Sequence, residues 1–159
     1  MPVTIEVVST VGAAPPRVFD LKLDVDVHAA SQHDSDETAA TRDGRRRLLL
    51  GDEVTFRARH FGIRWRMTSR ITAYQRPHRF VDEQVHGPFR LLRHEHLFTP
   101  AGTGTTMTDR MTIAAPLGPL GAVVTRLVLA PYLRRLLRRR AAHLRTLTGD
   151  PPVTARPPS

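Results

Sequence analysis

Between residues 51 and 75 apolar and charged side chains alternate almost one for one, and that pattern constrains the fold more than any other feature of the chain. Val54, Phe56 and Ala58 share one parity against Glu53, Thr55, Arg57 and Arg59. After His60-Phe61-Gly62, the residues Ile63, Trp65, Met67 and Ile71 oppose Arg64, Arg66, Thr68, Arg70 and Thr72. Side chains of a strand alternate between faces with period two, so this is a hairpin with one apolar face and one arginine-studded wet face. The wet face accounts for these arginines without any partner, because they keep the solvent side of a sheet soluble.

Three further strand-like runs follow at residues 79–86, 89–99 and 105–115, separated by Gly87-Pro88 and by Pro100-Ala101-Gly102, both of them turn chemistry. Upstream, residues 3–11 alternate as a first strand, with Val3, Ile5 and Val7 opposite Thr4 and Glu6. Ala13-Ala14-Pro15-Pro16 ends it. Val18, Leu21 and Val25 then follow a helical spacing that fits one or two short helices before Gln32. Residues 31–51 are polar, then basic at Arg45-Arg46-Arg47, then apolar at Leu48-Leu49-Leu50, which suits a strand or a mobile flap better than a helix start. After Pro116-Leu117-Gly118-Pro119 the pattern turns helical. Val123, Leu127, Leu133, Leu137, Ala141 and Leu144 form one stripe, with Arg134, Arg135, Arg138, Arg139 and Arg145 mostly off it. Pro131 is expected to kink or split that helix. The order predicts an α+β domain over residues 1–147, its curved antiparallel sheet wrapped around a long C-terminal helix.

The composition supports a single globular unit: 159 residues, 40% of them apolar. Cysteine is absent, which excludes disulfides, thiolate metal sites and cysteine nucleophiles. The net charge of +9 comes almost wholly from arginine, since Lys22 is the only lysine. Such a surface attracts phosphate, nucleic acid or anionic lipid, although arginine at indifferent surface positions has the same look. Residues 148–159 are proline-rich and without apolar period, and read as a disordered tail. The first residues, MPVTIEVVST, lack the basic start and apolar block of a signal peptide, and no apolar run reaches the roughly 20 residues that span a bilayer. The expected location is cytoplasmic.

In residues 80–98 two strands meet at Gly87-Pro88, and the second places His94 and His96 on one face with Leu92 and Phe98. A histidine pair on an apolar face is either a polar handle inside a ligand cavity or a pair of satisfied core histidines. An H-x-H pair can also open a metal site, with a third ligand from Glu83, Asp109 or His86. No metal and no cofactor is assigned, because nothing in the spacing supplies that third ligand.

Residues 51–118 closely resemble the SRPBCC domains, the START-like helix-grip superfamily that includes polyketide cyclases and dehydratases, coenzyme-Q-binding proteins and pollen-allergen-type plant carriers. The resemblance is carried by Gly62-Ile63-Arg64-Trp65, by Pro77 with Phe80-Val81-Asp82-Glu83-Gln84, and by Gly87-Pro88-Phe89. It continues in His94-Glu95-His96-Leu97-Phe98 and Thr106-Met107-Thr108-Asp109-Arg110. Leu92 departs from the pattern, standing where relatives carry an aromatic. The resemblance implies a helix-grip fold with an elongated apolar cavity between sheet and helix. It does not imply one activity, since carriers and cyclases share the scaffold.

On this basis the ligand-binding residues are expected to be Phe56, Trp65, Met67, Glu83, His94, His96, Phe98 and Met107. His94, His96 and Asp109 are the candidate proton-transfer groups. Asp109 shares its face with Met107, Met111 and Ile113, and Glu83 lies with Val81 and Val85. The expected function is binding of a small hydrophobic ligand of lipid, quinone or polyketide type. The alternatives are a polyketide cyclase or dehydratase using the same cavity, and an arginine-rich protein that touches membrane or nucleic acid. Nucleic acid is not an expected partner, whereas the basic helix allows transient membrane contact.

Overall fold

A computed structural model describes residues 2–32 and 36–149. The elements in chain order are β1 (Val3–Val11), α1 (Pro15–Lys22), α2 (Val25–Ala30), β2 (Thr38–Thr41), β3 (Glu53–His60), β4 (Ile63–Gln75) and β5 (Arg79–His86). They continue with β6 (Leu91–Ala101), β7 (Gly104–Ala114), α3 (Gly118–Val124), a π-helical turn (Thr125–Leu129) and α4 (Ala130–Leu147). The seven strands form one antiparallel sheet in the order β1-β7-β6-β5-β4-β3-β2. Only β1 is out of sequence order: it closes on β7, and α1 and α2 carry the chain across to the opposite edge. This is the helix-grip arrangement, with α3, the π turn and α4 lying against the concave side of the sheet.

Local chemistry sets each turn. Phe61 and Gly62, at φ of 54° and 72°, make a two-residue turn of the twist-matched kind that closes β3 onto β4. Asp24 caps α2, its Oδ1 accepting from the Asp26 and Val27 amides at 2.9 and 3.1 Å. Gly121 lets α3 approach the end of β7, since a Cβ there would meet the Pro116 carbonyl oxygen at 1.9 Å.

The core follows the predicted parity. Leu92, His94, His96 and Phe98 of β6 are buried, as are Met107, Asp109, Met111 and Ile113 of β7. Phe19 of α1 is the hub of one half: its ring meets Tyr74, Phe80 and Phe98 edge-on at centroid distances of 5.3, 5.4 and 5.4 Å. Ile5, Val7, Leu92, Met111, Ile113, Ala130 and Leu137 make the other half, where α4 packs on β1. Arg57, Arg59, Arg64, Arg66 and Arg70 are exposed on the outer face of the hairpin, as the alternation required.

The segment 31–51 contributes a short edge strand, β2, the first of its two expected forms, while residues 33–35 lie outside the described residues. One expectation changes. The helical stripe begins later than its spacing implied. Leu136, Leu137, Ala141 and Leu144 are buried, but Val123 and Leu127 are exposed. The cause is the π turn: the Ala130 amide bonds to the Thr125 carbonyl, five residues back, instead of four. One extra residue in a helix rotates everything before it by about 100°, so Val123 and Leu127 leave the buried face. Pro131 sits in the first turn of α4, directly after that adjustment. The helix ends on Thr148, whose amide bonds to the Leu144 and Arg145 carbonyls, and Gly149 at φ 80°. The remainder of the proline-rich tail, 150–159, lies outside the described residues. Among those described, no helix is long and apolar enough to cross a membrane.

Removing the Phe19 ring leaves a void that three aromatic neighbours cannot collapse into. Phe19→Ala is expected to cost about 3–5 kcal/mol in urea denaturation, whereas Leu127→Ala, on the exposed side, stays within about 0.5 kcal/mol.

Candidate functional site

Sheet register brings together groups far apart in sequence. His94 lies opposite Asp82 of β5 and Met111 of β7, and His96 lies opposite Phe80 and Asp109. Each imidazole bonds the diagonal carboxylate. His94 Nε2 donates to Asp109 Oδ1 at 3.0 Å, and His96 Nε2 donates to Asp82 Oδ2 at 2.7 Å. The two rings lie 3.7 Å apart centroid to centroid, and His96 also stacks on Phe80 at 4.0 Å. Lys22, the last residue of α1, donates from Nζ to Asp109 Oδ1 at 2.7 Å. The only lysine of the chain therefore neutralises the most deeply buried carboxylate among the described residues.

Protonation states follow from these contacts. Burial works to raise Asp109, but the Lys22 ammonium, the His94 hydrogen bond and the adjacent His96 ring overcome it and hold the carboxyl well below its usual range. Asp82 is likewise pushed up by burial, yet its bond to His96 and the neighbouring rings hold it at about 2. Burial, then the proximity of His96, lowers His94 to about 4. At neutral pH both carboxylates are ionised and can only accept, so a neutral His94 carries its proton on Nε2 and keeps Nδ1 as a free base. His96 Nδ1 lies 3.1 Å from Asp109 Oδ1 without making a hydrogen bond, and Asp109 Oδ2 is also unpartnered.

This cluster borders a cavity of about 500 Å³ between the sheet and the C-terminal helix. Its wall is apolar over most of its extent, from Val54, Phe56, Trp65, Met67, Leu92 and Met111, while Asp82, His94 and His96 form a polar patch. A second polar patch faces the cavity from α2, the residue before β2, the end of β3 and α4. His28 Nδ1 donates to Glu37 Oε1 at 2.7 Å, with its ring against Phe56, and His60 hydrogen-bonds Tyr132. Burial, then the charge of Arg140, keeps His28 below its ordinary value, and burial lowers His60 too. Arg140 lines the cavity, and its buried Nε has no hydrogen-bond partner.

The residues singled out from sequence divide accordingly. Phe56, Trp65, Met67, His94 and His96 line the cavity. Phe98 and Met107 do not: Phe98 packs behind Phe19 and Phe80, and both belong to the core beside the cavity. Asp109 stands behind the two histidines and reaches the cavity through them. Glu83 lies on the outer face, 3.8 Å from Arg93, because in β5 it is Phe80 and Asp82 that face inward. Val81 and Val85 suggested the opposite parity. Asp82 was missed for that reason, and Lys22, His28, Glu37, His60, Tyr132 and Arg140 were missed because only the fold gathers them. Asp82, His94 and His96 each offer a ligand atom within 4.8 Å of the others, so it is Asp82, and not Glu83, Asp109 or His86, that stands where a third ligand to the H-x-H pair would be. Such a site would have to break the His96–Asp82 bond.

A family model described as polyketide cyclase / dehydrase and lipid transport matches residues 2–149. No curated protein matches the sequence. Among solved structures, the Zhui aromatase/cyclase from Streptomyces sp. R1128 is similar at 15% identity and a TM-score of 0.76, with 94% of each chain covered. TTHA0849 from Thermus thermophilus is similar at 17% identity and a TM-score of 0.74, over 92% of this chain and 99% of the other. Major latex-like protein 151 from Panax ginseng is similar at 12% identity and a TM-score of 0.62, over 89% of this chain and 97% of the other. At these identities the likeness is one of fold.

Acid should unfold the protein through this cluster. His94 takes up its proton near pH 6.5 when unfolded but only near 4 when folded, so the unfolded state binds more protons in between and stability falls as pH drops through that window. Asp82, at about 2 against 3.8 when unfolded, extends the loss below pH 4. Thermal melts should decline steadily from pH 7 to 4, and His94→Asn should flatten that interval. An unchanged slope in the variant would contradict the assignment. Lys22→Met leaves Asp109 buried and uncompensated and is expected to cost about 3–5 kcal/mol, while adding Asp109→Leu recovers much of the loss; a chemical-denaturation double-mutant cycle reads both.

Proposed function

Starting from membership of the polyketide cyclase / dehydrase and lipid transport family, to which this chain belongs, we propose that it binds a small hydrophobic molecule with one polar end inside the cavity. The observation that carries this reading is the wall itself: about 500 Å³ bounded largely by apolar side chains, with polar groups concentrated in two patches. Burying the apolar body supplies affinity at about 25 cal/mol per Å² before ordering costs. The polar end is set by Arg140, whose Nε is buried without a partner and whose guanidinium suits an acceptor-rich head such as a carboxylate, phenolate or enolate.

The single tryptophan, Trp65, lines the cavity and reports on it. Titration with a medium-chain fatty acid should change Trp65 emission saturably at one ligand per protein. The corresponding alcohol should bind about tenfold less tightly, and Arg140→Met should abolish that difference, as expected for a lost charge-assisted contact. Equal affinity for acid and alcohol would remove Arg140 from the reading, and no saturable change with either would remove the cavity.

A second reading, that of a cyclase or dehydratase, is favoured by one observation. The His94 ring borders the cavity, is neutral, and has one nitrogen clamped by Asp109, which leaves its other nitrogen unprotonated and able to accept a proton. Such a base can take a proton from the acidic carbon between two carbonyls of a folded β-polyketone. The carbanion closes on a third carbonyl, and the same imidazole returns the proton to the new alkoxide before water leaves. The similar Zhui structure, an aromatase/cyclase, supports this reading by fold. It is tested by incubating a β-polyketone thioester with the wild type and His94→Asn: cyclised product from the wild type, at least about 100-fold slower in the variant, bears it out, and uncyclised thioester in both overturns it.

A further inference from the structure

We propose that the mouth of the cavity is a docking surface for an anionic lipid bilayer, a proposal that rests on the cavity reading above only for its purpose. Two segments form the mouth. One is α3 with the π turn, where Leu117, Leu120 and Leu127 are 76%, 64% and 73% exposed, and Val123 beside them is exposed as well. The other is the tip of the β3–β4 hairpin, where Phe61 and Ile63 are each 55% exposed. The two rims meet: the Phe61 ring lies 4.6 Å from that of Tyr132, and Phe61, Trp65, Val124 and Val128 all line the cavity. Apolar residues at this exposure, clustered at one opening, mark a surface that is covered in use.

Charge identifies what covers it. No acidic residue occurs from Val54 to Val81 or from Arg110 to Gly149, the stretches that supply both rims, although they hold fifteen arginines. Arg59, Arg64, Arg66 and Arg126 are exposed near the mouth, and none forms an ion pair among the described residues. Several arginines away from the mouth are paired instead. Arg70 pairs with Glu53, Arg76 with Asp20, Arg79 with Glu95, and Arg110 with Glu6 and Glu95. Unpaired cations thus stand beside the protruding apolar side chains, in two segments that hold no carboxylate. That combination matches an interface of anionic headgroups over acyl chains, with leucines and Phe61 inserted and arginines at headgroup level. A second copy of this chain fits poorly, because facing mouths would bring unpaired arginines together with no carboxylate between them. The π turn has a consequence here: by rotating Val123 and Leu127 off the buried face, it builds the apolar rim.

The test is co-sedimentation of the whole protein with vesicles of phosphatidylglycerol mixed into phosphatidylcholine, against phosphatidylcholine alone, together with light scattering of the free protein. The expected result is a monomer that partitions at least about tenfold more strongly to the anionic vesicles and is released by salt. Leu120→Glu/Leu127→Glu and Arg64→Glu/Arg126→Glu should each reduce partition by about tenfold or more. Their melting temperatures and fatty-acid titrations of Trp65 should remain those of the wild type, since none of these residues lines the cavity. Equal partition of wild type and variants, no partition to anionic vesicles, or a dimer that Leu127→Glu dissociates would each overturn the proposal. Failure here with normal ligand titration leaves the cavity reading standing, and the converse holds as well.

Discussion

The arrangement depends on one buried ion pair. Asp109 is fully enclosed, and a carboxylate in that position is tolerated only if its charge is met. Lys22 meets it at 2.7 Å, and the contact ties the end of α1 to the middle of β7 across 87 residues of sequence. Because α1 is held there, Phe19 is placed among Tyr74, Phe80 and Phe98, and that half of the core closes. The same carboxylate fixes His94 and so sets which of its nitrogens is left free for the cavity. Fold stability and site chemistry therefore share an atom, Asp109 Oδ1.

Three environments on one small sheet follow from the alternation of its strands. The outer face carries arginines, several of them paired with carboxylates. The inner face is apolar around Phe19 and opens, beside the histidines, into a cavity where polar groups are few and most are bonded to one another, Arg140 Nε being left without a partner. At the mouth, apolar side chains and unpaired arginines coexist. Under the docking proposal, an apolar interior that opens onto an apolar, cationic rim would let a hydrophobic molecule pass between a bilayer and the cavity.

Much of this was legible in the sequence, and the limits have physical causes. Period-two runs gave the hairpin and the three strands after it, because their side chains face one core and one solvent. The inward parity of β6 and β7 was plain, so His94, His96 and Asp109 could be placed on the concave side. In β5 it was not: Phe80 and Val81 are both buried, bulges interrupt the register of β4 against β5, and Asp82 rather than Glu83 turns inward. The helical stripe failed where the backbone changed its period, since a π turn leaves no trace in an apolar pattern that Pro131 already disturbs. The partnership of Lys22 with Asp109, and the gathering of His28, Glu37, His60, Tyr132 and Arg140, depend on tertiary placement alone. The lone lysine of an arginine-rich chain was their nearest signal.

The central claim is that the cavity holds a hydrophobic molecule with one acceptor-rich end. It is tested most directly by native mass spectrometry of the protein incubated in an extract of the cells it comes from, followed by release and identification of what it retains. The account predicts one compound at one per chain, with an apolar body and a single acidic or enolic group, and its loss from Arg140→Met. Protein that emerges empty, and that also fails to take up an apolar dye, would contradict it.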